Sequence, residues 1–477
     1  MQPLLSVILT ITIGIYGAGY PLSGAVAAPS GYLSSPQEAE SLSQLVEKSY
    51  LELFRIAPEL NLSDDVLNQF EDTLEDQEVA EEEQLEQRED EIEDKIEEVR
   101  DQLKELNEAS EQSFAHEQRR HDIHCQIEAL QKELNETQVA LDQGLDVHFE
   151  NKLAKVKLLR EWPEEYRQFQ QRLQSGGQEV DLKFSDFRDV GVRGGVFEDQ
   201  AEDVEAGREA IEEMRRQGML PPELEDEEVQ EYVRAVANRI ARHSDLKVPL
   251  KISVLQSEEV NAFALPGGFL FINAGLITEA DKEDELAGVI AHEISHVAAR
   301  HSSRLGTRAN IANLVLQAAQ LAGLIFTGGL SSIATYYALQ YGLYGLGFFL
   351  SLSLLGVSRD YELEADILGT QYLWHSGYSL TGFIDFFSKM AAKEGYLAGA
   401  SWFRTHPPFY ERMETTYKEM LFLPDRGEES ITDSQAFHSV KQRLEKAMED
   451  LEQRDREAPT LRRIFHCEQE CEGEFCP

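Results

Sequence analysis

The stretch Ala291-His292-Glu293-Ile294-Ser295-His296-Val297 decides how this chain is read. On a helix, residues four apart stand one above the other, so His292 and His296 can present two imidazole nitrogens to one tetrahedral ion. Glu293 is displaced by one position and can reach a water held there without itself being a ligand. Leu286, Val289, Ile290, Ile294 and Val297 give the same helix, expected from about residue 282 to 300, an apolar side to bury.

Three protein ligands are the usual minimum for a catalytic zinc. The solution in which the third ligand follows on the same chain turn would need Gly at position 299 and His at position 302. The sequence has Ala299 and Ser302, with His301 one place early. The other common solution is a carboxylate from a later helix, and Arg359-Asp360-Tyr361-Glu362-Leu363-Glu364-Ala365-Asp366 offers one. Glu362 and Asp366 share a helical face. Glu362 can bind the ion while Asp366 accepts a hydrogen bond from the rear nitrogen of a ligand histidine. Glu364, on a different face, is the competing ligand. His406 precedes Pro407, which pushes it onto an extended loop. From there it can act as a fourth ligand or hydrogen-bond an oxyanion.

Outward from this pair the texture changes twice. Leu250 to Gln256 alternates as a strand, and residues 261–265 and 269–273 flank Pro266-Gly267-Gly268 as a hairpin. Helical patterns run from about Glu202 to Gln217 and from Glu227 to His243. A few strands among many helices make residues 200–425 an α+β domain, predominantly helical. Before it, residues 38–175 are dense in Glu, Gln, Leu and Lys; between Glu71 and Arg100 there are 16 acidic and three basic residues. Leu85, Ile92, Val99 and Leu106 step by seven, with Ile96 and Leu103 interleaved. A second seam, Ile123, Ile127, Leu130, Leu134 and Leu141, follows out of register. Such heptads predict a coiled coil or a long helical hairpin, serving as an oligomerisation or docking arm or as a solvated spacer.

Residues 1–28 read as a signal peptide or N-terminal anchor: Leu4 to Tyr20 is uncharged and mostly apolar, and small residues follow. That predicts that the body of the protein lies outside the cytosol. Residues 309–358 carry no charge. Because His296 and Glu362 must meet, this stretch makes zero or two membrane crossings, and a helical cover over the cleft touching membrane is the expectation. Residues 426–477 form an acidic tail with three of the four cysteines, Cys467, Cys471 and Cys476. The four cysteines allow three pairings if all pair, or a second zinc site. The excess of 88 Asp plus Glu over 44 Lys plus Arg argues against nucleic acid as a partner.

Together these motifs resemble the zinc metallopeptidases of the CAAX prenyl protease family, which includes periplasmic and mitochondrial quality-control proteases. The resemblance spans about residues 200 to 425 and rests on residues 261–268, 291–302, 358–366 and 405–407. It implies a zincin-like metallopeptidase domain with one zinc on His292, His296 and Glu362. Glu293 would be the base, Asp366 a supporting group and His406 a regulatory or oxyanion-side histidine. The edge strand Asn261, Ala262, Phe263 through Leu265 would pair with extended, unfolded or misassembled protein substrates. The expectation is an exported zinc metalloendopeptidase of envelope protein quality control, in the periplasm or another exported, membrane-associated location. A chaperone-like scaffold with self-inhibited protease activity and an integral-membrane processing peptidase are the competing readings.

Overall fold

The computed structural model describes residues 42–108, 114–141, 145–174, 200–216, 220–302, 359–393, 410–424 and 426–457. Residues 1–28, the uncharged stretch 309–358, His406 and Cys467, Cys471 and Cys476 lie outside the described residues. Cys125 lies within them and is disulfide-bonded.

Among the described residues the sheet has three strands, β1 (Lys251–Leu255), β2 (Ala262–Leu265) and β3 (Phe269–Asn273), in the order β1-β3-β2. β3 runs parallel to β1 and antiparallel to β2. The hairpin between β2 and β3 turns on Gly267 and Gly268, whose φ values of 81° and 88° favour glycine over residues with a side chain. Alternation sends the strand side chains to two layers. Ile252, Val254, Ala262, Leu270 and Ile272 enter the main core. Phe263, Leu265, Phe269 and Phe271 pack with Ala210, Ile211 and Met214 in a second cluster. The latter three belong to the helix Ala201–Arg216.

Ahead of the second cluster run α1 (Tyr50–Ile56), α2 (Asp64–Glu108), α3 (Phe114–Val139) and α4 (Leu145–Gln174). α5 (Ala201–Arg216) and α6 (Glu227–Ala241) lead into the sheet. After it come α7 (Ala274–Glu279), α8 (Glu283–Ala298), α9 (Arg359–Ser376), α10 (Thr381–Lys393), α11 (Tyr410–Phe422) and α12 (Gln435–Glu457). The molecule is thus predominantly helical α+β, the zincin-like arrangement in which a small sheet lies beside an active-site helix.

The two heptad seams meet each other. Val99 packs with Ile123 and Ile127, and Leu103, Leu106 and Leu130 flank them. Arg88 pairs with Glu133, whereas Val99, further along α2, packs on Ile127 and Ile123, so rising numbers on α2 meet falling numbers on α3 and the pair is an antiparallel hairpin. α1 and α4 behave differently. Trp162 of α4 is fully buried, its Nε1 donates to Phe54 O at 2.8 Å, and Phe54 stacks on Tyr417 of α11 at 4.6 Å. Leu53, Phe54, Phe149, Val156 and Trp162 therefore share one core with α8, α10 and α11.

Every residue of α8 except His296 is buried. α9 and α10 flank it, and Gly288 permits the second approach: a Cβ there would lie 2.8 Å from Phe383 Cα. This packing makes α8 the axis of the domain and holds its histidines still.

Candidate metal centre

α8 and α9 bring together the residues that their sequences mark. His292 Nε2 lies 3.4 Å from Glu362 Oε2, and His296 Nε2 lies 3.4 Å from Glu362 Oε1. The two histidine Nε2 atoms are 3.0 Å apart. Ligand atoms of His292, His296 and Glu362 all fall within 4.8 Å of one another. Two imidazoles and one carboxylate are a donor set that suits zinc. Glu293, on the next position of α8, is 2% exposed.

Support behind the site comes from α9 and α11. His292 Nδ1 lies 2.8 Å from Asp366 Oδ1. Arg412 is fully buried. Its Nε reaches Asp366 Oδ2 at 2.7 Å, its Nη2 reaches Oδ1 at 2.8 Å, and its Nη1 approaches Glu362 Oε2 at 3.2 Å. The guanidinium also lies over the Phe387 ring at 4.8 Å. Phe383 stacks on the His292 ring at 5.4 Å.

Electrostatics favour a cation between these groups. Burial works against a charged His292, but Asp366 and Glu362 outweigh it and raise the imidazole above its ordinary range. Burial would likewise raise the Asp366 carboxyl, yet Arg412 and His292 hold it below the usual carboxylate range. With the Nδ1 of each histidine turned to a supporting side chain, the Nε2 lone pairs point to the common centre. The residues present thus fit a divalent zinc ion.

Glu364, the competing ligand in the sequence, is not in this group. Its Oε2 lies 3.3 Å from His301 Nε2 instead. Sequence reasoning missed Arg412 and passed over His301. The signal for Arg412 was available: two carboxylates behind a metal need a buried cation, and Arg412 shares a helical face with the buried Thr416 and Glu419.

β2 is an edge strand among the described residues, beside α8. Asn273 N donates to Asn261 O at 3.0 Å, so the hydrogen-bonded pairs fall on 261/273, 263/271 and 265/269. Phe263 therefore turns its backbone groups to β3, while Ala262 and Ala264 turn theirs to the open edge. Ala264, Leu265, His296 and Val297 line one crevice, which joins this strand to the metal centre.

The fold is that of a zincin-like domain, and the site is a candidate metal centre within it. The sequence model of peptidase family M48 matches residues 223–419, which include every residue of the centre. Among individual proteins, the beta-barrel assembly-enhancing protease of Yersinia pestis is 29% identical over 215 residues, 44% of this chain and 42% of that protein. The mitochondrial metalloendopeptidase OMA1 of Schizosaccharomyces pombe is 34% identical over 188 residues, 38% of this chain and 50% of that protein. The metalloprotease YcaL of Escherichia coli is 29% identical over 176 residues, 35% of this chain and 60% of that protein. The chain thus spans between about two fifths and three fifths of the length of these relatives.

Proposed function

We propose that the chain is a zinc-dependent endopeptidase acting on unfolded or misassembled proteins outside the cytosol. The observation that carries this reading is the convergence of His292, His296 and Glu362 within 4.8 Å, with Glu293 on the same turn of α8. His292, His296 and Glu362 would hold the zinc, and Asp366 would fix the His292 ring. When bound, zinc supplies Lewis acidity that makes water a nucleophile near neutral pH and polarises a carbonyl.

The chain's own residues do the rest. The Glu293 carboxylate takes a proton from the attacking water as its oxygen bonds to the scissile carbonyl carbon. The same proton then passes to the leaving amine as the carbon–nitrogen bond breaks. The open backbone groups of Ala262 and Ala264 would pair with an extended substrate, with Asn261 and Phe263 framing that strand. Backbone pairing of this kind reads few side chains and so accepts many sequences. His406 would enter as an oxyanion-side or regulatory histidine. The apolar run before residue 28 and the names of the beta-barrel assembly-enhancing relatives support an exported protease of envelope quality control. Contact with membrane through residues 309–358 and oligomerisation through the helical arm belong to the same proposal; no described helix is long and apolar enough to cross a membrane.

Zinc analysis and casein cleavage by the wild type and Glu293→Gln test it. The variant should keep its zinc and lose roughly 10²- to 10⁴-fold in cleavage, the usual share of a general base. Equal cleavage by the two proteins would overturn the mechanism.

A further inference from the structure

The two histidines of the centre are braced in different ways. His292 leans on a carboxylate, Asp366, at 2.8 Å. His296 leans on another histidine: its Nδ1 lies 2.8 Å from Nδ1 of His301. The far nitrogen of His301, Nε2, lies 3.3 Å from Glu364 Oε2. His301 is 2% exposed, and its ring stacks on Tyr361 with centroids 4.6 Å apart and planes 13° from parallel. A ring so enclosed has one orientation.

The backbone is bent to bring it there. α8 stops at Ala298, and Arg300 adopts a φ of 56°, left-handed for a residue with a side chain. That turn folds His301 back beneath His296 instead of carrying it onward along the helix. The conformation costs of order 1 kcal/mol and persists only where its surroundings enforce it. Asp203 of α5 supplies the enforcement, with its two oxygens 2.7 Å from Arg300 Nε and 3.1 Å from Nη2.

Proton positions follow from the geometry. A neutral imidazole carries one N–H. If His296 turns the lone pair of Nε2 to the metal, its Nδ1 carries the hydrogen and donates, and Nδ1 of His301 must accept. His301 then carries its hydrogen on Nε2 and donates to Glu364. Without Glu364, the other His301 tautomer becomes available and sets two N–H groups against each other. The carboxylate therefore fixes one tautomer, which fixes the next.

We propose that His301 and Glu364 are positioning residues for the metal site, a relay that holds His296 in its ligating tautomer and orientation. The inference rests on the zinc reading above and goes beyond it by assigning the support of the second histidine.

The test compares full-length variants by zinc affinity, measured in competition with a chromophoric chelator, and by the visible spectrum of the cobalt-substituted protein. His301→Phe keeps a ring to stack on Tyr361 but has no acceptor. His301→Asn restores an acceptor near the place of Nδ1. Glu364→Leu removes the last member without touching either ring. We expect His301→Phe and Glu364→Leu to bind zinc roughly 10- to 100-fold more weakly and to shift the cobalt bands. His301→Asn should recover most of the affinity, and the melting points of the metal-free proteins should stay close to wild type. Wild-type affinity and spectrum in His301→Phe would overturn the relay, as would His301→Asn binding no better than His301→Phe. Should a His301 variant fail to fold, unchanged affinity in Glu364→Leu would overturn it equally. Failure of the zinc reading looks different: the wild type itself would bind no zinc, or Glu362→Gln would bind it as tightly as wild type.

Discussion

Arg412 grips Asp366 in a two-pronged hydrogen bond, Nε to Oδ2 at 2.7 Å and Nη2 to Oδ1 at 2.8 Å, with neither side chain exposed. Its third nitrogen reaches Glu362. One cation thus faces two buried carboxylates, and removing it leaves both without their main compensation. Replacement by the apolar Arg412→Met should cost about 3–5 kcal/mol, the usual penalty for breaking a buried ion pair from one side. Arg412→Lys should recover only part of this, because a point charge cannot match the planar fork. Urea denaturation of the metal-free proteins measures both. A loss below about 1 kcal/mol for Arg412→Met would mean that the carboxylates have another source of neutralisation.

How much of this arrangement the sequence reveals depends on whether spacing along one helix carries it. His292, Glu293 and His296 are legible because the helical period places them. Glu362 and Asp366 are legible for the same reason, once a third ligand is required. Arg412 belongs to a different helix, and its burial acquires meaning only when α11 lies against α9. His301 is hidden more deeply: the sequence ends the helix near residue 300, and nothing in it announces the left-handed turn at Arg300 that brings the next residue back to His296. The heptads of α2 and α3 show that two seams exist, and the fold adds that they meet each other. In α4 the burial of Phe149, Val156 and Trp162 implies a covering partner, but no pattern in the helix names α11 as that partner.

Glu419 gives a pH dependence that lies away from the metal ligands. Its Oε1 accepts from Gln371 Nε2 at 2.9 Å, while Oε2 is buried with no hydrogen-bond partner among the described residues. Burial pushes the carboxyl up to about 7, against a smaller opposing effect of the Gln371 bond. Unfolded, it would titrate near 4.3. A raised folded value means that the group's favourable contribution is complete below about 4.3 and is lost as pH rises through about 7. Glu419→Gln stays neutral throughout and keeps an acceptor for Gln371. It should match wild type near pH 4 and exceed it at pH 8.5 by about 3–4 kcal/mol. Urea midpoints at the two pH values, with chelator present throughout, measure the difference; a gain independent of pH would show that Glu419 does not titrate this way.

Asn261 opens the edge strand and is 0% exposed, yet neither Oδ1 nor Nδ2 has a hydrogen-bond partner among the described residues. An amide buried in this state costs about 1–3 kcal/mol. A fold under selection for stability alone would place an apolar residue of similar volume there, so the position invites a functional reason. The proposed one is the extended substrate, whose pairing along Ala262 and Ala264 begins beside this side chain. Asn261→Leu separates the two demands. The variant should gain about 1–3 kcal/mol in urea denaturation, because the uncompensated amide is gone. Its kcat/KM for casein should fall, because the groups held for the substrate are gone with it. Higher stability with undiminished cleavage would remove Asn261 from the substrate strand, and lower stability would show that its amide is already satisfied in the folded protein.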